Sequence, residues 1–303
     1  MKLSSLTPSE LIRQLRQGLF LQTGAFVVHI KTRIPAVAHG LGLLYADYSL
    51  ASNEFADFHV TLAPPRNLRR WLRSQVLFQF EGKLPFKPLP YSQAFPMLEW
   101  GLNWCVSNHA HTYLMIHAAV VEKGGRAAIL PAPPGSGKST LCAALINRGW
   151  RLLSDELTLI RLNDGLIESF PRPVSLKNGS IEVIKRYVPS AIFSPVVKDT
   201  IKGTVAHMKP STDSVQRGQE PARAAWIIFP KFTVGAETRL EEIPSARAFM
   251  RVADNSFNYG LLGQQGFQAL AQLIDHSQAF DFSYSELDEA MQVFDNLTLT
   301  KQA

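Results

Sequence analysis

The sequence predicts an α/β protein built on a mixed sheet, with a smaller β-rich region before it. Two observations lead to this prediction. In residues 126–149 an apolar strand, RAAILPA, runs through a loop with two glycines into a helix, KSTLCAALINRG. Between residues 20 and 82, short alternating segments are typical of strands. We place the boundary at residue 110, which divides the chain into regions 1–110 and 111–303.

The N-terminal region should open with a helix. Thr7 can cap it, Pro8 suits its first turn, Glu10 completes a capping box and Gly18 ends it. Four β-rich segments follow: GAFVVHIKT, LGLLYADYSL, DFHVTLAP and SQVLFQFEG. The segment SQAFPMLEWGLNWCVSN, 92–108, carries apolar residues at helical spacing and predicts a second helix.

The second region begins with YLMIHAAVVE, 113–122, whose nearly continuous apolar run predicts one buried strand. After the helix that starts at Lys138, RLLSDELTLIRL, NDG and LIESF predict a hairpin. AAWIIFP, 224–230, predicts one more strand. The last three helices are predicted from IPSARAFMRVADNS, GFQALAQLIDHSQ and YSELDEAMQVFDNL.

The charge balance suits a protein that binds anions. The 303 residues carry a net charge of +6, which fits nucleotides and also nucleic acid. The densest basic group is RNLRRWLR, which we interpret as the solvated face of a short helix; it contains Arg66, Arg69, Arg70 and Arg73. Because no helix-turn-helix pattern is recognisable, we expect no nucleic-acid partner.

The cysteines and the hydropathy pattern predict the cellular compartment of the protein. Cys105 and Cys142 lie in apolar, helix-like contexts without a metal-ligand pattern, and so predict free thiols in a reducing compartment. No apolar run reaches the roughly 18 residues that a membrane span needs, and residues 1–15 lack a signal-peptide core. We therefore expect a cytoplasmic protein that does not bind membranes.

The motif with the clearest chemistry is PAPPGSGKST, residues 131–140, which we call the P-loop. It matches the phosphate-binding pattern G-x-x-x-x-G-K-[ST] except that Ala132 replaces the first glycine. A residue before proline is driven to extended backbone, so we expect alanine to be tolerated before Pro133. The pattern predicts ATP binding with Mg²⁺, with Lys138 on the β- and γ-phosphates and Ser139 on the metal. The residues predicted to contact the nucleotide are Pro134, Gly135, Ser136, Gly137, Lys138, Ser139 and Thr140.

An acidic pair, Asp155 and Glu156, follows the next strand directly, much sooner than in ordinary P-loop proteins. With IHAAVVE, PAPPGSGKST and NRGWRLLSDELTLI in this order and spacing, the chain resembles the HPr kinase/phosphorylase family, and especially its HPr kinase-related members. The resemblance implies a kinase domain related to the nucleotide site of phosphoenolpyruvate carboxykinase. It also implies that Asp155 is the base for an acceptor hydroxyl and that Glu156 helps to hold Mg²⁺. His117 matches the family's strand histidine, which would contact the γ-phosphate or orient Asp155.

Two departures from the family limit what the resemblance implies. The family has an Asp-Asp pair where this chain has Asp155-Glu156, and PRPVSLKNGSIEVI, 171–184, replaces the family's arginine- and glycine-rich signature. We therefore expect kinase activity without phosphorylase activity, and an acceptor other than HPr. The acceptor is a serine of a protein or peptide, or alternatively a small metabolite. A regulatory module that binds ATP without transferring phosphate remains a third interpretation, and a homo-oligomer is left open.

Several other polar residues are weaker candidates. Lys177, Asn178 and Arg172 could bind phosphate or acceptor, while His207 and Lys209 fall in a segment expected to be polar and mobile. His109 and His111 have metal-like spacing but no apparent third ligand, so we interpret them as structural.

Overall fold

The computed structural model describes residues 1–52, 55–65 and 74–299. The basic stretch that contains Arg66, Arg69, Arg70 and Arg73 lies outside the described residues, so its predicted helix is not tested. Within the described part the chain forms an α/β structure with four sheets.

The N-terminal region consists of a five-stranded sheet covered by helices. Its strands lie in sequence order: β1 Leu19–Thr23, β2 Phe26–Thr32, β3 Phe58–Ala63, β4 Gln75–Phe80 and β5 Leu89–Pro90. Strands β2 and β3 are parallel, and the other neighbours are antiparallel. The helices are α1 Pro8–Gln17, α2 Pro35–Leu44 and α3 Ala94–His109, with short 3₁₀ turns at Leu3–Ser5 and Tyr91–Gln93.

The predicted start of this region is confirmed, and one predicted strand is wrong. Helix α1 has the complete capping box of Thr7 and Glu10. The segment LGLLYADYSL, by contrast, contains the end of helix α2 instead of a strand. In helix α2 the apolar residues Val37, Leu41 and Leu44 are all buried and recur at helical spacing. This spacing begins before residue 41, so it is not visible within the segment LGLLYADYSL alone.

The second region is built on a six-stranded mixed sheet, as predicted. Its strands, in spatial order, are β16 Arg239–Glu242, β17 Gln278–Tyr284, β15 Arg223–Phe232, β8 Arg126–Pro131, β7 Ala118–Lys123 and β9 Arg151–Ser154. Strand β15 is parallel to β8 and β17, and the other pairs are antiparallel. Helices α4 Lys138–Ile146 and α10 Leu287–Leu299 bury one face, while α7 Ser245–Asp254 and α9 Gln264–Asp275 bury the other.

Two three-stranded antiparallel sheets complete the second region. One has the order β11 Ile167–Glu168, β10 Thr158–Arg161, β6 Tyr113–Ile116, and the other has the order β12 Val174–Lys177, β14 Gly203–Met208, β13 Val197–Thr200. The remaining helices are α5 Gly179–Tyr187, α6 Thr212–Gln216 and α8 Tyr259–Leu262.

The chain passes between sheets at two points that matter for the site. YLMIHAAVVE is two strands instead of one, because β6 and β7 belong to different sheets and His117 lies between them. The backbone N–H of His117 bonds to the carbonyl of Asn255 at 2.7 Å instead of to a neighbouring strand. Strands β10 and β11 form the predicted hairpin, but β9 pairs with β7. Asp155 and Glu156 lie in the bend between β9 and β10.

The apolar core of the N-terminal region extends past residue 110. The apolar cluster of the N-terminal region includes Met115, Leu157, Leu159 and Phe170 from beyond residue 110. The division at residue 110 therefore stays a prediction. Among the described residues, no helix is both long and apolar enough to cross a membrane.

Candidate functional site

The P-loop joins strand β8 to helix α4, which begins at Lys138 as predicted. Gly135 and Gly137 both have φ of 87°, a left-handed conformation that glycine adopts readily. A Cβ on Gly137 would come within 2.5 Å of the hydroxyl oxygen of Tyr284, so this position also requires glycine for space. Ala132 is buried and does not have a positive φ, so its backbone does not need glycine.

The ammonium group of Lys138 lies beside the ring of His117, with Nζ and Nε2 3.2 Å apart. Burial, and then the charge of Lys138, lower the pKa of His117 to about 4. The ring is therefore neutral near pH 7 and can accept a hydrogen bond from the ammonium group. His117 thus contacts Lys138, and within the described part of the chain it forms no hydrogen bond with Asp155.

Asp155 faces the start of helix α4. Its Oδ2 accepts hydrogen bonds from the Ser139 hydroxyl at 3.4 Å and from the backbone N–H of Ser175 at 3.0 Å. Its Oδ1 is buried without a hydrogen-bond partner. Burial, and then the negative charge of Glu156, raise the pKa of Asp155 to about 6, although Lys138 opposes this. Asp155 can therefore exchange a proton close to neutral pH.

Glu156 is the neighbour of Asp155, and its pKa is shifted in the opposite direction. Burial alone would raise its pKa, but the nearby positive charges, those of Lys202 and Lys177 foremost, together outweigh burial and lower the pKa. The amide of Asn103 donates a hydrogen bond to Oε2 of Glu156. The two adjacent carboxylates therefore have different environments, one poised near neutral pH and one held ionised.

Lys138, His117 and Glu156 line one open groove of about 1530 Å³. Asp155 lines a small adjoining cavity instead, together with Glu156. One side of the groove is the P-loop with His117 and Glu156, and its border carries Lys177 and Lys202. The volume exceeds the usual range of about 300–1,000 Å³ for a single small ligand. The groove can therefore hold a nucleotide with a second molecule beside it.

The oxygen atoms near the P-loop suit Mg²⁺ bound together with a nucleotide. No group of three or more His, Cys, Asp or Glu side chains that could hold a metal occurs in the described part of the chain. Mg²⁺ that bridges phosphates needs only one or two protein ligands, because phosphate oxygens and waters supply the others. Ser139, Asp155 and Glu156 provide such ligands, and the buried Oδ1 of Asp155 still lacks a partner.

Three of the weaker candidates have structural partners. Asn178 adopts φ of 51°, and its Oδ1 accepts a hydrogen bond from the backbone of Thr204, which fixes the turn after β12. Arg172 is buried and bonded to Glu99 and Asn103, so it does not reach the open groove. Lys209 forms an ion pair with Asp47 at 2.8 Å.

The weaker histidine candidates lie away from the groove. His207 is buried in strand β14, which corrects our prediction of a polar, mobile segment, and both of its ring nitrogens lack partners. His109 stacks on Phe80 with ring centroids 4.6 Å apart, and His111 is exposed. These positions do not indicate that His109 and His111 bind one metal ion together.

The sequence interpretation missed the side of the groove formed by helix α3. Asn103, Trp104 and Ser107 line it, and Lys202 and Phe257 border it from other elements. No motif in the sequence singles out Asn103, which is one of several polar residues on helix α3. Its contact with Glu156 joins residues 53 positions apart, so spacing within a motif could not reveal it.

Comparison with known proteins finds distant structural similarity. No protein-family model matches the chain, and no curated protein matches it. Among solved structures, the chain is similar to one titled "Structure of the Hpr(Ser) kinase/phosphatase from Coxiella burnetii". That match has 12% identity, covers 62% of this chain and 99% of the other, and has a TM-score of 0.28. At these values we draw nothing about activity from it.

Proposed function

We propose that this protein is an ATP- and Mg²⁺-dependent phosphotransferase that moves the γ-phosphoryl group to a hydroxyl, with serine of a protein or peptide as the acceptor. One observation carries the proposal. The Ser139 hydroxyl, at the start of helix α4, lies 3.4 Å from a buried carboxylate, Asp155, whose other oxygen has no partner. A phosphate-binding loop beside a carboxylate that can orient or deprotonate an acceptor hydroxyl is an arrangement that phosphoryl-transfer enzymes use.

The P-loop residues would bind and orient the nucleotide. Backbone N–H groups at the start of helix α4, whose residues line the groove, would attract phosphate oxygens. Lys138 would neutralise charge on the β- and γ-phosphates, and neutral His117 would hold the ammonium group in place. Mg²⁺, when bound by Ser139 and Glu156 with the phosphates, would supply further charge neutralisation on the transferred group.

Asp155 would serve the acceptor. With a pKa of about 6 it is mostly ionised at pH 7, and it remains basic enough to take a proton from a hydroxyl. The acceptor oxygen bonds to phosphorus while its proton passes to Asp155, and ADP leaves. Because the transition state of phosphoryl transfer is loose, orientation of the hydroxyl matters at least as much as proton removal.

Two related functions use the same groove. A small metabolite with a hydroxyl group would fit the space beside the nucleotide as a peptide segment would. A module that binds ATP without transferring phosphate has less use for a buried carboxylate poised near neutral pH. The second alternative is therefore less well supported by the site than either kinase.

The test is transfer of label from γ-labelled ATP with Mg²⁺ in a cell extract, with protein and small molecules resolved afterwards. Labelling of a protein that is lost in the Lys138→Ala variant supports the proposal. Labelling of a small molecule instead would mean that the acceptor is a metabolite. Wild-type protein that binds ATP but labels neither fraction would contradict kinase activity and favour the binding module.

A further inference from the structure

The N-terminal region supplies a residue that is bonded to a candidate catalytic carboxylate. Asn103, on helix α3, lines the groove and donates a hydrogen bond from Nδ2 to Oε2 of Glu156. The other oxygen of Glu156, Oε1, makes no hydrogen bond to any residue in the described part of the chain. Asn103 thus holds one oxygen of the carboxylate and leaves the other available to a ligand.

The orientation of the Asn103 amide is determined by its two partners. Its Oδ1 accepts a hydrogen bond from Nη1 of Arg172 at 2.7 Å. A guanidinium group can only donate and an ionised carboxylate can only accept. A side chain between Arg172 and Glu156 must therefore accept on one side and donate on the other. An amide does both, whereas a carboxylate of the same size cannot donate to Glu156.

Arg172 is itself held by the N-terminal region. Its Nη2 contacts the Glu99 carboxylate and also donates to the Glu99 backbone carbonyl at 2.7 Å. Tyr45 donates to Oε1 of Glu99 at 2.8 Å. Tyr45, Glu99 and Arg172 are buried, and each charge has a partner, which favours a single arrangement. A continuous set of contacts therefore runs from helix α2 to the groove.

Glu156 has cations nearby as well as its hydrogen bond from Asn103. Lys202 and Lys177 lie on the border of the groove and act electrostatically on this carboxylate. A hydrogen bond from a fixed donor on helix α3 holds the carboxylate against movement towards either ammonium group. Side chains that must meet a ligand in one geometry need such support from a second set of residues.

We propose that Asn103 is a positioning residue of the candidate site, which sets Glu156 for Mg²⁺ bound with the nucleotide, so that the N-terminal region forms part of that site. This inference rests on the proposed function. It gives the residues before position 110 a role in phosphoryl transfer that no motif in that region indicates.

The test compares three variants in the full-length chain. N103D keeps the size of the side chain and the acceptor for Arg172, but it replaces the donor to Glu156 with a like charge. Y45F removes one hydroxyl at the far end of the network. N108D is the matched control, because Asn108 lies on the same helix, is exposed and donates to the carbonyl of Trp104 instead.

Calorimetry measures binding of an ATP analogue whose β–γ bridge is unreactive. The quantity compared is the Mg²⁺ concentration at which binding is half-maximal. A hydrogen bond to a charged group corresponds to about 10–100-fold in an equilibrium constant. We expect N103D to raise this concentration at least about tenfold, Y45F about two- to fivefold, and N108D less than twofold. Thermal unfolding of each variant shows whether it is folded.

A second measurement needs no nucleotide: a double-mutant cycle of N103D and E156Q on unfolding free energy. We expect coupling, because E156Q removes the like charge that N103D would face. If the two substitutions are additive, the inference is overturned. It is also overturned if they are coupled but N103D binds the Mg²⁺–analogue complex as wild type does. If the cycle is coupled but wild-type protein binds no nucleotide, the proposed function is wrong and the positioning role is rejected with it.

Discussion

The two walls of the groove are built in different ways. The P-loop wall, residues 126–156, is one strand, loop, helix and strand in sequence, and its Ser139–Asp155 contact spans 16 positions. The α3 wall consists of Asn103, Trp104 and Ser107, and its network includes a contact between Tyr45 and Arg172 that spans 127 positions. The first wall is therefore specified locally, whereas the second exists only once the whole chain has folded.

The same difference is visible in the acidic pair at the junction of the walls. Asp155 takes its hydrogen bonds from Ser139 and the backbone of Ser175, and burial raises its pKa. Glu156 takes its hydrogen bond from the α3 wall, and its pKa is lowered. We therefore expect changes in the P-loop wall to affect chemistry and changes in the α3 wall to affect geometry and metal dependence.

The largest effect is expected for Asp155→Asn. The amide can keep the hydrogen bonds from Ser139 and Ser175, but it cannot accept the proton of the acceptor hydroxyl. Turnover should fall by about 10²–10⁴-fold, the usual contribution of a general base, with little change in ATP affinity. Single-turnover transfer and equilibrium ATP binding, measured on the same preparation, separate the two quantities.

This result decides between three roles of Asp155. A parallel loss of Mg²⁺–ATP affinity would make Asp155 mainly a metal ligand. A lower melting temperature with normal kinetics would make it a structural carboxylate. Unchanged turnover in a folded protein would contradict our assignment of the P-loop wall as the catalytic one.

A smaller effect is expected for Lys138→Ala. Removing a preorganised contact to phosphate should cost about 2–4 kcal/mol in the transition state, a loss of about 30–1000-fold in kcat/KM. Lys185→Ala is the control, since Lys185 is on helix α5 and pairs with Glu182 on the protein surface. Equal turnover of the Lys138 variant and wild type would show that the P-loop is not a nucleotide site.

The pH dependence of stability and of turnover tests the role of Asp155 further. The folded-state pKa of Asp155 is about 6, above its ordinary 3.8, so folding disfavours its ionised form. The contribution of Asp155 to the free energy of unfolding should therefore fall as pH rises from about 4 to 6, by about 3 kcal/mol, and then stay constant. Turnover should rise over the same range, about tenfold per unit below pH 6.

Asp155→Asn is also the control for the pH profile. The variant should lack the fall in stability that Asp155 contributes, so its melting temperature at pH 8 should be higher than that of wild type. The folded-state pKa of His117, about 4, lies below its ordinary 6.5, so its contribution to stability rises with pH over this range and opposes that of Asp155. Because His117 is present in both proteins, the difference between Asp155→Asn and wild type isolates the contribution of Asp155. A wild-type rate that is flat between pH 5 and pH 8 would show that the ionised Asp155 is not the active form.

The sequence predicted the P-loop wall more fully than the α3 wall. Strand β8, the loop and the start of helix α4 follow from residue order, because a glycine-bearing turn between an apolar strand and a helix has few alternatives. The break at His117 was missed, since both flanking strands are buried and read as one apolar run. Asn103 was missed because its partners, Arg172 and Glu156, become neighbours only through tertiary packing.

The smallest effect is expected for Ala132→Gly, which restores the usual P-loop pattern. Ala132 is 3% exposed, precedes Pro133 and has no positive φ, so glycine offers no conformation that the loop needs. ATP affinity should change by less than about threefold, and stability should fall by about 0.5–1 kcal/mol because glycine has more freedom in the unfolded chain. Gly137→Ala is the contrasting variant, with φ of 87° and a Cβ that would meet Tyr284, and should lose most binding. A gain of tenfold or more for Ala132→Gly would mean that the loop is strained at this position and that the P-loop wall is weaker than its motif indicates.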